Sequence, residues 1–290
     1  MLTDPRSAGP RPPFPKQKQP PPGETPALEP VPDHGEHTYR GSGQFADCSV
    51  LVTGGDSGIG RAVAIAFARE GADVAIAYLS EHEDAEETAH WVRAAGRQAL
   101  LIAGDIGDEQ HCKELVRRTV EEFGRLDVLI NNAAFQRTHD KLEDFTSEEV
   151  ETTFRTNIES MFFLAKAAAP HMKPGSSILN TSSIQSDHPS PQLLAYATTK
   201  GAISNFTAGL AQLLAKQGIR VNAVAPGPVW TPLIPSTMPA EKAAHFGEDS
   251  PFGRPAQPAE LAGAFVFLAS DAATYISGAV LPVTGGKPML

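Results

Sequence analysis

Cysteine and long hydrophobic runs are what this 290-residue sequence has least of. Two cysteines, Cys48 and Cys112, are too few for a disulfide framework and are typical of a reducing compartment. No apolar run approaches the roughly 20 residues that span a membrane. Residues 1–30 also contain no apolar segment of the signal-peptide kind. We therefore expect a cytoplasmic protein with no membrane partner.

Basic runs and metal-ligand spacings are missing as well. The formal net charge is −10, and residues 1–44 carry as many basic as acidic side chains, so the whole excess lies in residues 45–290. An acidic domain without a basic run disfavours nucleic acid as the main partner. The nine histidines show no recurrent metal-binding spacing, so we expect no metal.

Proline, in contrast, is concentrated at one end of the chain. Eleven of the 25 prolines lie in residues 1–44, which predicts an extended Pro-rich arm followed by one catalytic domain over residues 45–290. Such a segment prefers the polyproline conformation and is not expected to build a core. Two alternatives remain open for the arm: a solvated, disordered tail, or, as we prefer, an arm that lies on a neighbouring subunit.

From Ser49 onward, short β-branched runs alternate with segments of helical periodicity. Strands that alternate with helices of 10–15 residues are typical of βαβ units and a parallel sheet. The sequence therefore predicts an α/β Rossmann-type fold, a doubly wound parallel sheet of seven strands with helices on both faces. Ligands of such sheets bind beyond the carboxyl ends of the strands.

A glycine-rich turn follows the first strand and opens a helix. It reads Thr53-Gly54-Gly55-Asp56-Ser57-Gly58-Ile59-Gly60. Glycine allows the sharp turn and lets a pyrophosphate approach the backbone, while the helix N-terminus attracts the anion. The pattern predicts a dinucleotide cradle, although a glycine-rich turn alone is weak support.

The T-G-x-x-x-G-x-G spacing of this turn resembles the short-chain dehydrogenase/reductase family. Gly104-Asp105-Ile106, Asn131-Asn132-Ala133-Ala134 and Pro226-Gly227-Pro228-Val229-Trp230-Thr231 are similar to that family's later motifs, with Ala134 in place of a glycine. The resemblance spans about residues 45–290 and implies the strand order 3-2-1-4-5-6-7. It implies cofactor contacts for Thr53, Gly54, Asp56, Ser57, Gly58, Ile59, Gly60, Tyr78, Asp105, Ile106, Asn132, Ala133, Ala134, Tyr196, Lys200, Pro226, Gly227, Val229 and Thr231.

Tyr196 and Lys200 form the expected catalytic pair. They are four residues apart, so they share one face of a helix. A nearby ammonium lowers the pKa of a phenol and lets it exchange a proton with a carbonyl or alcohol oxygen. Ser183, preferred to Ser182 for its spacing of thirteen residues from Tyr196, is expected to hold the reacting oxygen. The family's role for Asn157 is to order a water relay with Lys200.

Neither of the family's usual signals for the nicotinamide cofactor is present. Tyr78 stands where family members that prefer NAD usually have Asp, and Leu79 where members that prefer NADP often have Arg. The remaining signal is acidic, and it comes from Asp56, Glu81, Glu83 and Asp84. Because carboxylates repel a 2′-phosphate, we predict NAD(H) over NADP(H). The alternative is that these acids merely favour the start of a helix.

The substrate region has the weakest signals. Residues 232–254 form a candidate lid, and Phe135, Gln185, Ser183 and Trp230 are candidate pocket residues. Residues 13–20 and 31–35 of the arm resemble extended bacterial YghA-type oxidoreductases, which are also described as glucose/ribitol dehydrogenase-like. We therefore predict an NAD(P)-dependent oxidoreductase that acts on an aldehyde, ketone, sugar or polyol, as a homotetramer. The alternatives are a 3-oxoacyl-thioester reductase and a non-catalytic dinucleotide sensor.

Overall fold

The computed structural model describes residues 3–289 and contains a parallel sheet in the order β3-β2-β1-β4-β5-β6-β7. Its strands are β1 (Ser49–Thr53), β2 (Asp73–Tyr78), β3 (Ala99–Ala103), β4 (Val128–Asn131), β5 (Ser177–Thr181), β6 (Arg220–Pro226) and β7 (Val280–Val283). Every neighbouring pair in this order is parallel. The predicted fold class and strand order are therefore confirmed.

Helices cover both faces of the sheet. They are α1 (Gly58–Arg69), α2 (His82–Ala94), α3 (Glu109–Phe123), α4 (Ser147–Phe154), α5 (Ser160–Ala168), α6 (Leu194–Leu214), α7 (Leu233–Thr237), α8 (Ala240–Ala244) and α9 (Ala259–Ala269). A turn of π-helix, Arg155–Glu159, joins α4 to α5. Across the described chain, none of the helices is long and apolar enough to cross a membrane.

Two hydrophobic cores follow from the alternation of side chains along each strand. In β1, Val50 and Val52 pack in a core with α1, α2 and α9, whereas Leu51 belongs to the opposite core with α3, α5 and α6. Both sheet faces are thus buried, which is why the strands read as continuous apolar runs. The edge left free for a ligand is the carboxyl end of the sheet.

The Pro-rich arm packs against its own domain. The backbone N–H of Phe14 donates to the Ala244 carbonyl (2.7 Å), and Trp230 Nε1 donates to the Pro30 carbonyl (2.8 Å). The Phe14 and Trp230 rings are 4.5 Å apart, and Leu28 joins them in a third, smaller core. This placement corrects the expectation of a solvated, disordered tail, because the few apolar side chains of the arm fill a pocket of the same chain. Contact of the arm with a neighbouring subunit stays a prediction.

Candidate active site

The glycine turn between β1 and α1 has a shape that only glycine accommodates. Gly54 and Gly58 have φ of +61° and +51°. A Cβ added at Gly60 would lie 1.8 Å from the Gly54 carbonyl oxygen, and one at Gly58 would lie 3.0 Å from Thr231 Cγ2. The backbone therefore forms a cradle that side chains would fill, at the positive end of α1. This geometry fits a pyrophosphate.

A cavity of about 620 Å³ lies at the carboxyl ends of the strands. Its lining includes all the predicted cofactor residues except Thr53 and Gly60. Thr53 lies behind the cavity, where its Oγ1 accepts hydrogen bonds from the N–H groups of Asn132 (2.9 Å) and Ala133 (3.1 Å). Thr53 thus connects β1 to the loop after β4 and does not itself line the cavity.

The three residues expected to do chemistry lie on one part of this cavity. Tyr196 and Lys200 project from α6, and Ser183 begins the turn after β5. Ser183 shares a hydrogen bond with the Tyr196 phenol, and its Oγ accepts from the Gln185 N–H (3.1 Å). Ser182 turns the other way and donates to the Lys200 carbonyl (3.2 Å). The structure thus brings Ser183, rather than Ser182, to the phenol.

Burial is the main cause of the pKa shifts of Tyr196 and Lys200. It raises the pKa of Tyr196 to about 12, and the hydrogen bond with Ser183 only partly offsets this. Burial also lowers the pKa of Lys200 to about 7. Lys200 Nζ donates to the Thr181 carbonyl (2.7 Å). Burial thus disfavours the charged form of each side chain, and the effect of a protonated Lys200 on the Tyr196 phenol stays a prediction.

Asn157 is fully buried in the π-turn between α4 and α5. Its Oδ1 accepts from the Phe135 N–H (2.8 Å), and its Nδ2 donates to the Phe135 carbonyl (2.9 Å) and to Thr199 Oγ1 (3.0 Å). Both amide donors are thus in use. Asn157 fixes the loop after β4 against α6, next to Tyr196 and Lys200. A water that joined Asn157 to Lys200 in a relay would have to donate to the second lone pair of Asn157 Oδ1 or bond the main chain of Asn157.

The substrate end of the cavity differs in part from the expectation. Phe135, Gln185 and Ser183 line it. Trp230 does not, because its side chain is completely buried in the third core beneath the arm. Met238, Phe246 and Asp249 of the candidate lid also line the cavity. Sequence reasoning did not single out four further lining residues, which carry no motif: Pro22, Thr152, Thr156 and Lys287.

The acidic side chains near β2 present less negative charge to the cavity than the sequence suggests. Asp84 is buried and pairs with Arg61 at 2.7 Å. Asp56 lines the cavity, and burial raises its pKa to about 6, with Glu81 and Asp84 adding to the rise. The carboxylate argument for NAD(H) is therefore weakened, because the charge of Arg61 offsets that of Asp84.

Comparison with known proteins identifies the family. A family model described as enoyl-(acyl carrier protein) reductase matches residues 54–287. Oxidoreductase YghA of Escherichia coli (strain K12) is 49% identical over 276 residues, which cover 94% of each chain. The chain belongs to the short-chain dehydrogenase/reductase family. As a member of that family, it is a nicotinamide-dependent oxidoreductase, as its motifs indicated.

Other relatives of this short-chain dehydrogenase/reductase have more specific names. Glucose and ribitol dehydrogenase of Daucus carota is 47% identical over 280 residues, which cover 94% of this chain and 96% of the relative. NADPH-dependent aldehyde reductase 1 of Arabidopsis thaliana is 46% identical over 279 residues, which cover 93% and 97%. The predicted branch of the family is thus confirmed.

Solved structures of the family share its fold. A short-chain dehydrogenase from Burkholderia cenocepacia J2315, in complex with NADP, superposes with a TM-score of 0.79 at 32% identity and covers 84% of this chain and 98% of its own. The 3-ketoacyl-(acyl-carrier-protein) reductase of Brucella melitensis, complexed with NADH, gives 0.76 at 33% identity and covers 83% and 98%. Both cofactors are thus represented among its neighbours.

Proposed function

We propose that this enzyme interconverts a carbonyl group and an alcohol, on an aldehyde, a ketone or a sugar or polyol. The observation that carries the proposal is that Tyr196, Ser183 and Lys200 line the same cavity as the glycine cradle. A non-catalytic dinucleotide sensor would not need this set of side chains beside the cofactor. The names of the carrot and Arabidopsis relatives support an aldehyde or polyol substrate.

The cradle at Gly54, Gly58 and Ile59 would hold the pyrophosphate, Asp105 and Ile106 the adenine end, and Thr231 the nicotinamide carboxamide. When bound, the cofactor supplies or accepts the hydride. The chain's own residues handle the proton and the orientation of the substrate.

Tyr196 is the acid or base in this proposal. In reduction its Oη gives a proton to the substrate oxygen, and in oxidation the phenolate takes the proton back. Ser183 Oγ binds the same oxygen and stabilises the charge that develops on it. When protonated, Lys200 favours the phenolate, because it lies close to the ring and in the same buried pocket. Asn157 keeps the Phe135 loop against α6.

The predicted preference for NAD(H) over NADP(H) has to be revised. The comparisons do not support NAD(H) over NADP(H), since one neighbour is bound to NADP and one relative is named as NADPH-dependent. The ion pair of Asp84 with Arg61 removes part of the expected repulsion of a 2′-phosphate. We propose that the enzyme uses NADP(H) at least as well as NAD(H).

A substrate panel tests these assignments. Aldehydes, ketones, sugars and polyols are each assayed with NADH, NADPH and their oxidised forms, and a 3-oxoacyl thioester is included. Turnover of an aldehyde or polyol at far higher kcat/KM than the thioester is the expected result. Selective reduction of the thioester would instead favour the 3-oxoacyl reductase, a class that the Brucella neighbour represents. A higher kcat/KM with NADH than with NADPH would contradict the cofactor proposal.

We also propose a cytoplasmic homotetramer. Apolar side chains at the surface support association, among them Phe162, Leu213 and Tyr275, which are 55%, 73% and 104% exposed. Burial raises the pKa of the Cys112 thiol to about 12, which keeps it unreactive. Sedimentation equilibrium at several protein concentrations tests the assembly, and a monomer at every concentration would contradict it.

A further inference from the structure

An arm residue forms part of the active-site wall. Pro22 lines the same cavity as Tyr196 and the glycine cradle. Its carbonyl accepts a hydrogen bond from Ser236 Oγ on α7 (3.1 Å), and the N–H of the nearby Gln19 donates to the Pro235 carbonyl (3.1 Å). The arm therefore holds α7, which belongs to the candidate lid.

Gly23 packs closely against the first residue of this lid. It is buried, has φ of +89°, and a Cβ added to it would lie 2.8 Å from the Pro232 carbonyl oxygen. Pro232 directly follows Thr231, which packs on Gly58 of the glycine turn. A displacement at Gly23 would thus be transmitted through Pro232 to Thr231, at the edge of the dinucleotide cradle.

The opposite wall of the cavity is also tied to the arm. The backbone N–H of Thr25 donates to Asp84 Oδ2 (2.9 Å), and the other oxygen of Asp84 pairs with Arg61 Nη2 (2.7 Å). Arg61 Nε in turn donates to the Asp56 carbonyl in the glycine turn (2.8 Å). Gly23 and Thr25, two residues apart, therefore contact the lid on one side and support the glycine turn on the other.

Apolar contacts make the arm a fixed wall. Phe14 and Leu28 are buried in the third core, against which Met238 and Phe246 pack. Met238 and Phe246 also line the active-site cavity. The same two side chains thus separate the buried arm from the substrate end of the cavity.

We propose that arm residues 22–25 are positioning residues of the active site, which hold α7 and the glycine turn at a fixed separation. The arm contacts neither Tyr196 nor Lys200 in the described hydrogen bonds, so its effect is on binding and on the order of the lid. The identity of the bound molecule as a nicotinamide dinucleotide rests on the proposed function.

The test compares Gly23→Ala with Gly43→Ala in the full-length protein. Both glycines lie in the arm with similar positive φ (+89° and +81°), so both substitutions carry the same backbone cost, but a Cβ at Gly43 meets no atom within 4 Å. Hydrogen exchange is measured at three lid amides, those of Ile234, Ser236 and Met238, which donate to the carbonyls of Thr231, Pro232 and Ile234. Fluorescence titration gives the Kd of NADPH and of NADH.

We expect Gly23→Ala to speed exchange of the lid amides and to raise the cofactor Kd, each by about tenfold, while Gly43→Ala changes neither. The kcat at saturating cofactor should stay within about twofold of wild type, which separates positioning from catalysis. Ser236→Ala removes the hydrogen bonds of Ser236 Oγ to the Pro22 carbonyl and, within α7, to the Leu233 carbonyl. It should give a smaller change in the same direction, and it replaces Gly23→Ala in the test if that variant does not fold.

Equal lid exchange in the Gly23 and Gly43 variants, with Ser236→Ala like wild type, would overturn the inference. The exchange measurement requires no turnover. A difference in exchange together with no activity on the substrate panel would therefore contradict the proposed function and leave the positioning role standing.

Discussion

The ammonium nitrogen of Lys200 lies 5.1 Å from the centroid of the Tyr196 ring, one helical turn away, and hydrogen-bonds the Thr181 carbonyl at the end of β5. Helix α6 and strand β5 thus jointly orient the pair. Because Lys200 is buried and Tyr196 is half-buried beside it, the charge on either one changes the proton affinity of the other.

Replacement of Tyr196 by Phe tests its role as acid or base. We expect turnover to fall by about 10²–10⁴-fold, since the phenolic proton is lost while the ring that packs in α6 is kept. The cofactor Kd should change little. Tyr275→Phe is the matched control, because Tyr275 is fully exposed. Turnover near the wild-type value in Tyr196→Phe would contradict the assignment.

Asn157→Ala tests the clamp between the Phe135 loop and α6, by which we mean the hydrogen bonds of Asn157 to Phe135 and to Thr199. The substitution leaves the Phe135 N–H and carbonyl without their partner, and we expect a loss of about 1–3 kcal/mol in the free energy of unfolding. The kcat should fall more than the cofactor affinity, because the clamp lies beside Tyr196. Asn205→Ala, on the exposed face of α6, is the control. An unchanged kcat in Asn157→Ala would argue against positioning.

Asp56→Asn tests the buried carboxyl of the glycine turn through pH dependence. The pKa of Asp56 is raised from 3.8 to about 6, so the folded state binds more protons than the unfolded state between these values. The contribution of the Asp56 carboxyl to the free energy of unfolding is present below pH 3.8 and is lost as the pH rises through 6.

The measurement is the free energy of unfolding of wild type and variant in denaturant at pH 4 and pH 8. Asp56→Asn should become more stable relative to wild type by up to about 3 kcal/mol as the pH is raised. Glu122→Gln, at an exposed carboxyl, should show no such trend. A pH-independent difference for Asp56→Asn would mean that this carboxyl is ionised without cost.

Trp230→Ala tests the third core. Trp230 is completely buried against Phe14, and its Nε1 bonds the Pro30 carbonyl. We expect a loss of about 3–5 kcal/mol in the free energy of unfolding, with faster proteolysis of the arm. Tyr275→Ala removes an exposed aromatic ring and should change stability by less than about 0.5 kcal/mol. Equal effects of the two substitutions would show that the arm is not docked.

The fold and the residues of the site could be predicted because both depend on local spacing. The glycine turn follows a strand, and Tyr196 and Lys200 are separated by one helical turn, so short segments suffice to bring these groups to the sheet edge. The burial of Trp230 could not be predicted, because its partner Phe14 lies in a segment whose composition indicated no core. The ion pair of Asp84 could not be predicted either, because its partner Arg61 belongs to another helix.

The bonds between Trp230 and Pro30 and between Ser236 and Pro22 join residues 200 and 214 positions apart. A ribosome completes the arm long before it makes those partners, and contacts between such distant residues form slowly. The arm must therefore remain undocked while most of the sheet assembles. A nascent chain therefore gains this wall of its cavity only after Trp230 and Ser236 have been translated, so enzymatic competence cannot precede that point.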